Sequence, residues 1–353
     1  MVAGVLLGAA LLAAAEAGLR LWDPHYLAHS RGLLVNSGRY GWALRRDVSV
    51  VLDGARYQVN RRGYRGREVQ PQARSQPRRV VVLGDSVAFG LGVSDFDTFA
   101  SALDARQNGL EVVNLAVQGY GPDQELLVLQ DVGLRLEPDV VLLALCAAND
   151  FADVMLSTSL YDESRWKPRF RLAAGELALD GAPPHQRSLR LRRLLADHSH
   201  IVGRLASLTP RPALPGDGGW HRRFAEAMRD ESESLRLTLA ILLRMRQLCE
   251  ARGVRFAVAV FPQAHGYRTT PPLTQRLMED LEREGVLLVD IGAGFRAAGL
   301  RWRHVALDTV GHLGPVGHAV AADLIEAALS GEVSSAAAAA DIADTREAPV
   351  RGS

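Results

Sequence analysis

Five short apolar runs recur along the chain: RVVVLGD (79–85), LEVVNL (110–115), DVVLLALC (139–146), RFAVAVF (255–261) and VLLVDI (286–291). Each is continuous rather than alternating and rich in branched residues, the pattern of a strand buried on both faces. Helical patterns separate them. Apolar residues fall at helical spacing in 123–136 and in a long amphipathic stretch, 233–253, that ends at Gly253. A third, 274–285, ends at Gly285, and a last helix is expected over 314–329. Strand alternating with helix predicts parallel βαβ units. The reading is an α/β domain over 79–330, with a five-stranded parallel sheet and helices on both faces. Ligands of such sheets bind at the carboxyl ends of the strands.

Residues 151–232 are too long for a plain crossover between the third and fourth strands and are read as an insertion over the active site. They hold an Arg/Leu-rich helix candidate (188–208) and a Pro/Gly-rich break (209–219). A basic helix of this kind can touch a membrane surface or an acidic partner, but a solvated Arg face with Leu packed inward is the favoured reading. Upstream, 23–78 forms a small β-containing extension. Its segment 51–66 alternates around turn formers, as short antiparallel strands do, and 71–77 looks like a linker. The tail, 331–353, has too little large apolar content to pack and is expected to be disordered.

The first 22 residues form a separate hydrophobic segment. Residues 1–15 carry no charge and as a helix would span roughly 22 Å, short of a ~30 Å hydrocarbon core. Residues 16–22 complete the length, with Glu16 and Arg20 near the end. No positive n-region precedes the run. An anchor or a signal segment trimmed at its start is favoured over a soluble apolar helix, because an Ala/Leu-rich chain start rarely finds a core. The first two readings imply an extracytoplasmic protein, membrane-anchored or exported; the third leaves it cytoplasmic.

Lys plus Arg number 41 and Asp plus Glu 40, a balance that gives no general pull toward nucleic acid. The two cysteines, Cys146 and Cys249, make no disulfide framework.

The chemistry sits at strand ends. In LGDSVAFGLG (83–92) a buried strand runs into a tight Gly-Asp-Ser turn, which places the Ser86 hydroxyl at the top of the first strand, with free backbone N–H groups beside it. A dinucleotide-binding loop is disfavoured, since Gly90 and Gly92 come late and Asp95 stands where the third glycine belongs. The second strand leads into Gly119 and the third into Asn149 and Asp150. Donors from Ser86 N–H, Gly119 N–H and the Asn149 amide would suit one oxyanion. Near the C-terminus, His312 lies in a loop before the last helix with Asp308 four residues earlier, a base and its orienter. His318 falls inside that helix as a packing or capping residue. A metal reading of Asp308, His312 and His318 is disfavoured by its unusual spacing and the lack of another strong ligand nearby.

These residues resemble the SGNH (GDSL-type) hydrolase family, in its membrane-associated bacterial form. LGDSVAFGLG is similar to the first block, NLAVQGYG (114–121) to the second, AAND (147–150) to the third and DTVGHLGPVGH (308–318) to the last. The segments GVSDFDTF (92–99) and VNRRGYRG (59–66) resemble flanking family features. There are two departures. Ala147 stands where the third block usually has glycine. The family's Asp usually precedes its His by three residues, where this chain has Thr309. Either the loop accommodates one more residue, or His312 works with a weaker orienter.

The resemblance implies a three-layer flavodoxin-like fold. It implies Ser86 as nucleophile, His312 as base and Asp308 as acid, with Ser86, Gly119 and Asn149 forming the oxyanion hole. It implies ester hydrolysis through an acyl-enzyme, on a small-molecule or saccharide ester or on a lipid, with no metal or organic cofactor. An O-acyltransferase would use the same groups, and a non-catalytic binding module is a further alternative. Oligomeric state is not legible.

Overall fold

The computed structural model describes residues 2–70, 73–106, 109–180, 197–207 and 218–331. The parallel sheet consists of β5 (Arg78–Gly84), β6 (Leu110–Asn114), β7 (Val140–Cys146), β10 (Arg255–Phe261) and β11 (Leu287–Asp290), in the spatial order β11-β10-β7-β5-β6. Numbered along the chain this is 2-1-3-4-5, the flavodoxin-like order. Val82 of β5 pairs with Asn114 on one side and Leu142 on the other. All seven residues of β7 are buried, as a central strand covered on both faces requires. Each buried Val or Leu there contributes about 1.5–3 kcal/mol.

One face is covered by Pro122–Asp131, Glu231–Glu250 and Pro272–Arg283, the other by Phe99–Ala105, Ile291–Ala297 and Pro315–Ser330. The helix expected over 123–136 stops at Asp131 and continues as a tight turn, Gly133–Leu136. Phe99–Ala105 and Ile291–Ala297, seven residues each, are too short to show a period in the sequence.

The extension holds two antiparallel hairpins, β1 (Leu34–Ser37) with β2 (Gly41–Leu44) and β3 (Val48–Leu52) with β4 (Ala55–Val59). Leu52 pairs with Ala55 across Asp53-Gly54, both at positive φ, the type I′ turn that an Asp-Gly pair favours. Arg65 bridges Val59 and Asn114, which hooks this hairpin onto the free edge of β6. The segment expected as a linker is packed in its described part: Arg74 pairs with Asp139, and Ser75 donates to Glu111.

The insertion contributes a third hairpin, β8 (Arg169–Ala173) with β9 (Glu176–Asp180), and helices His200–Ser207 and Gly218–Ala227. Of the helix expected over 188–208, residues 188–196 and 208 lie outside the described residues, as do 209–217 of the break and 332–353 of the tail. Ahead of all this runs an apolar helix, Val2–Trp22, none of whose residues is buried.

Candidate active site

The crossing direction of the chain reverses between β5 and β7, and the crevice at their carboxyl ends is where such sheets bind ligands. Ser86 follows β5 directly. It begins a one-turn helix, Ser86–Phe89, capped by Asp85, whose carboxylate accepts the Val87 N–H at 2.8 Å. His312 Nε2 lies 2.9 Å from Ser86 Oγ, and His312 Nδ1 lies 2.5 Å from Asp308 Oδ2. Ser86, His312 and Asp308 therefore form one hydrogen-bonded chain, the arrangement that a nucleophile, a base and its orienter would need.

The extra residue between Asp308 and His312 is absorbed by the loop. Asp308 Oδ1 accepts the N–H groups of Val310, Gly311 and His312 at 2.9, 3.0 and 3.2 Å. Gly311 takes φ +140°, which residues with a Cβ rarely adopt. The turn thus curls around one carboxylate oxygen and leaves the other aimed at the imidazole. Of the two alternatives posed by the sequence, this geometry is the one in which the loop accommodates the added residue.

The electrostatics of His312 and Asp308 follow from their contact. Burial pulls the His312 pKa down, but the hydrogen bond and charge of Asp308, with Asp85 behind, outweigh it, and the net shift is upward. Asp308 is raised by partial burial, but its bonds from His312 and from backbone N–H groups bring it to about 2.

Gly119 lies at φ +72° in the turn after β6. Its neighbours are fixed by the extension: Trp42 Nε1 donates to Gln118 O at 2.9 Å, and Tyr120 OH donates to Trp42 O at 2.6 Å. Among the described residues neither Ser86 N–H nor Gly119 N–H has a protein acceptor, so both are free to meet an oxyanion. Asn149 stands at the end of β7 as expected, but its carboxamide is engaged. Nδ2 donates to Asp153 at 2.9 Å and more weakly to Asp150 at 3.4 Å. In this state the expected third donor is spent on carboxylates.

Those carboxylates belong to a buried group under the site: Asp85, Asp123, Glu125, Asp150 and Asp153, with Lys167 ion-paired to Asp123. Burial raises all five, which favours their protonated forms. For Asp153 the attraction of Lys167 and the bond from Asn149 only partly offset burial, and it reaches about 7. His318 is packed in the core, where its Nδ1 accepts the Phe99 N–H at 3.2 Å and its ring stacks on Phe99. Among the described residues no three His, Cys, Asp or Glu side chains are arranged to hold a metal ion.

Sequence reasoning missed a second support. Arg65, from the extension, donates to the carbonyls of Phe89, Gly90 and Val93 and pairs with Asp95 at 3.1 Å. Its guanidinium lies 4.7 Å from the ring centres of both Tyr57 and Phe89. It therefore fixes the loop that follows Ser86. Arg65→Lys keeps the charge but loses the planar fork. We expect it to cost about 1–3 kcal/mol in chemical denaturation, the range for buried groups left unpaired, and to lower turnover.

A cleft of about 650 Å³ opens beside the candidate triad. Ala148, Thr309 and Val310 line it on the side of Asn149 and His312, while Tyr161 and Trp220 of the insertion form an aromatic wall, their rings stacked at 6.5 Å. Residues of both described ends of the insertion, Leu160, Tyr161 and Glu163 from one and Gly219, Trp220 and Arg223 from the other, line this cleft.

No family model matches the chain, and no curated protein matches it in sequence. Solved structures do match. One is a psychrotrophic esterase from Pseudoalteromonas sp., 14% identical, covering 72% of this chain and 97% of that one at a TM-score of 0.41. Another is a member of the lipolytic protein G-D-S-L family from Veillonella parvula, 11% identical, covering 69% and 94% at 0.39. A third is a catalytic mutant of an acetylxylan esterase from Geobacillus stearothermophilus, 13% identical, covering 70% and 91% at 0.40. At such identities and scores, the bearing on function comes from this chain's own residues. Those residues are four motif blocks similar to the SGNH blocks, carried in order on a flavodoxin-like parallel sheet.

Proposed function

We propose that the protein is an SGNH-type serine hydrolase that cleaves ester bonds through an acyl-enzyme. The observation that carries this reading is the chain Ser86 Oγ, His312, Asp308, with links of 2.9 and 2.5 Å, at the switch point of the sheet. His312 takes the Ser86 proton as Oγ attacks the ester carbonyl. The N–H groups of Ser86 and Gly119 receive the developing oxyanion, joined by Asn149 once its amide turns from Asp153. His312 then returns the proton to the leaving alcohol, and water attacks the acyl-enzyme by the same route in reverse. An acceptor alcohol in place of water makes the reaction acyl transfer. The mixed aromatic and polar cleft suits a saccharide ester better than a long acyl chain. The apolar helix Val2–Trp22 favours a substrate outside the cytoplasmic membrane.

The test is labelling with a fluorophosphonate probe, followed by peptide mass analysis. The expected adduct is on Ser86. Folded protein that takes no label sinks the enzyme reading in favour of a binding module, which the engaged Asn149 amide already favours in part.

A pH profile checks the acid. His312 acts as base only when neutral, so kcat/KM on a small aryl ester falls as pH drops through its pKa. That midpoint is expected above the ordinary 6.5. In Asp308→Asn the hydrogen bond and charge that raise it are lost, and the acid limb moves to lower pH. A limb that does not move removes Asp308 from the triad.

A further inference from the structure

The helix Val2–Trp22 is apolar on every side over Val2–Ala15 and carries no buried residue, the pattern of a helix surrounded by lipid rather than laid in a protein groove. Its last two turns behave differently. The Glu16 carboxylate accepts hydrogen bonds from Ser199 Oγ at 2.9 Å, from His200 N–H at 2.9 Å and from Ile201 N–H at 3.1 Å. Those amides begin the insertion helix His200–Ser207, so its N-terminal cap comes from the other end of the chain. Arg20 pairs with Glu16 at 2.8 Å and donates to His198 O at 2.7 Å. From the insertion helix, Arg204 places its guanidinium 3.8 Å from the Tyr26 ring centre and 5.3 Å from that of Trp22. Aromatic and arginine side chains thus collect where the apolar run stops, the distribution found at a membrane–water boundary.

A leader removed on export contributes nothing to the mature fold. Removal among the small residues before Glu16 would take the lipid-facing turns, and removal after Trp22 would take the cap as well. We propose that Val2–Ala15 is a retained anchor that enters a lipid bilayer without crossing the whole of it, these residues reaching only about 21 Å, and that Glu16 joins it to the insertion by capping His200–Ser207. The anchor is then a structural member of the domain and holds the insertion at the bilayer surface. This stands apart from the hydrolase reading.

The experiment uses the full chain expressed in a bacterial host, with membranes washed in alkaline carbonate and the protein's intact mass measured. The expected result is protein that stays with the membrane and retains residues 1–22. A mature chain starting between residues 14 and 23, or a full-length chain released by the wash, overturns the proposal. The cap is tested in detergent with Glu16→Ala. Its melting point is expected to fall by about 2–4 °C, the scale for loss of a cap in a domain of this size. Proteolysis near His200–Ser207 is expected to quicken several-fold, and Glu16→Gln, which keeps one acceptor, to recover part of both. Wild-type melting and proteolysis in Glu16→Ala refute the joint.

Discussion

Ser86→Ala is expected to abolish fluorophosphonate labelling and to lower ester turnover by about 10⁴–10⁶-fold, with the fold and melting point intact. The size follows from what the hydroxyl does. On the proposed mechanism, loss of this hydroxyl removes the acyl-enzyme route altogether, and what remains is the catalysis of an oxyanion site acting on water, about 10³–10⁴ over the uncatalysed rate. The fold should tolerate the change because the Ser86 side chain's hydrogen bond is to His312, and the capping of its helix is done by Asp85. His312→Ala should cost about as much, and the double variant little more, since residues of one proton-transfer chain are not additive. Retention of more than a tenth of wild-type turnover in Ser86→Ala would end the serine-nucleophile mechanism.

The second large effect is on stability. Lys167→Met is expected to destabilise the protein by about 3–5 kcal/mol, the cost of removing one partner from a buried ion pair. Both Lys167 and Asp123 are fully buried. Four more buried carboxyl groups lie under the same site, and no other cation is ion-paired with them among the described residues. The cost is also pH-dependent. Burial raises Asp153 to about 7, above its unfolded value near 4. A group shifted that way contributes stability that is full below about pH 4 and is lost as pH rises through 7. Without Lys167 the remaining carboxyls are pushed higher still. Denaturation of the variant should show a smaller deficit at pH 5 than at pH 8. Equal deficits at both would mean that this group does not titrate as described.

The parts legible in the sequence are those in which chemistry or burial fixes a residue type at a fixed place. A strand covered on both faces must be apolar throughout, so β5, β7 and β10 were visible within a residue of their ends. The candidate site residues Ser86, Gly119 and Asn149 stand out in the sequence because each follows such a strand. The position of Asp308 was visible but its geometry was not, because whether four residues reach as well as three depends on the φ of Gly311 and on which amides the carboxylate collects. Arg65, Trp42 and Lys167 were not legible as supports. A buried arginine and a solvated one look alike in sequence, and nothing local says that Arg65 finds three carbonyls far along the chain. The β8–β9 hairpin did leave a signal, alternation around Ala174-Gly175, both at positive φ, but it is short and lies among the irregular residues of the insertion. The engagement of Asn149 by Asp153 follows from a helical turn placing the two side chains together, and a motif written as Ala-Ala-Asn-Asp carries no trace of it.

The clamp made by Arg65 also bears on how the molecule comes apart. Its guanidinium is held by the carbonyls of the loop after Ser86 and by the aromatic faces of Tyr57 and Phe89, so the hairpin cannot lift from the β6 edge without releasing that loop. Hairpin and loop therefore form one cooperative unit, with a shared opening free energy. Amide exchange in β4 and in residues 86–93 should follow the same opening, although some thirty residues separate them. Heat inactivation would then begin with undocking of the extension, well before the parallel sheet melts.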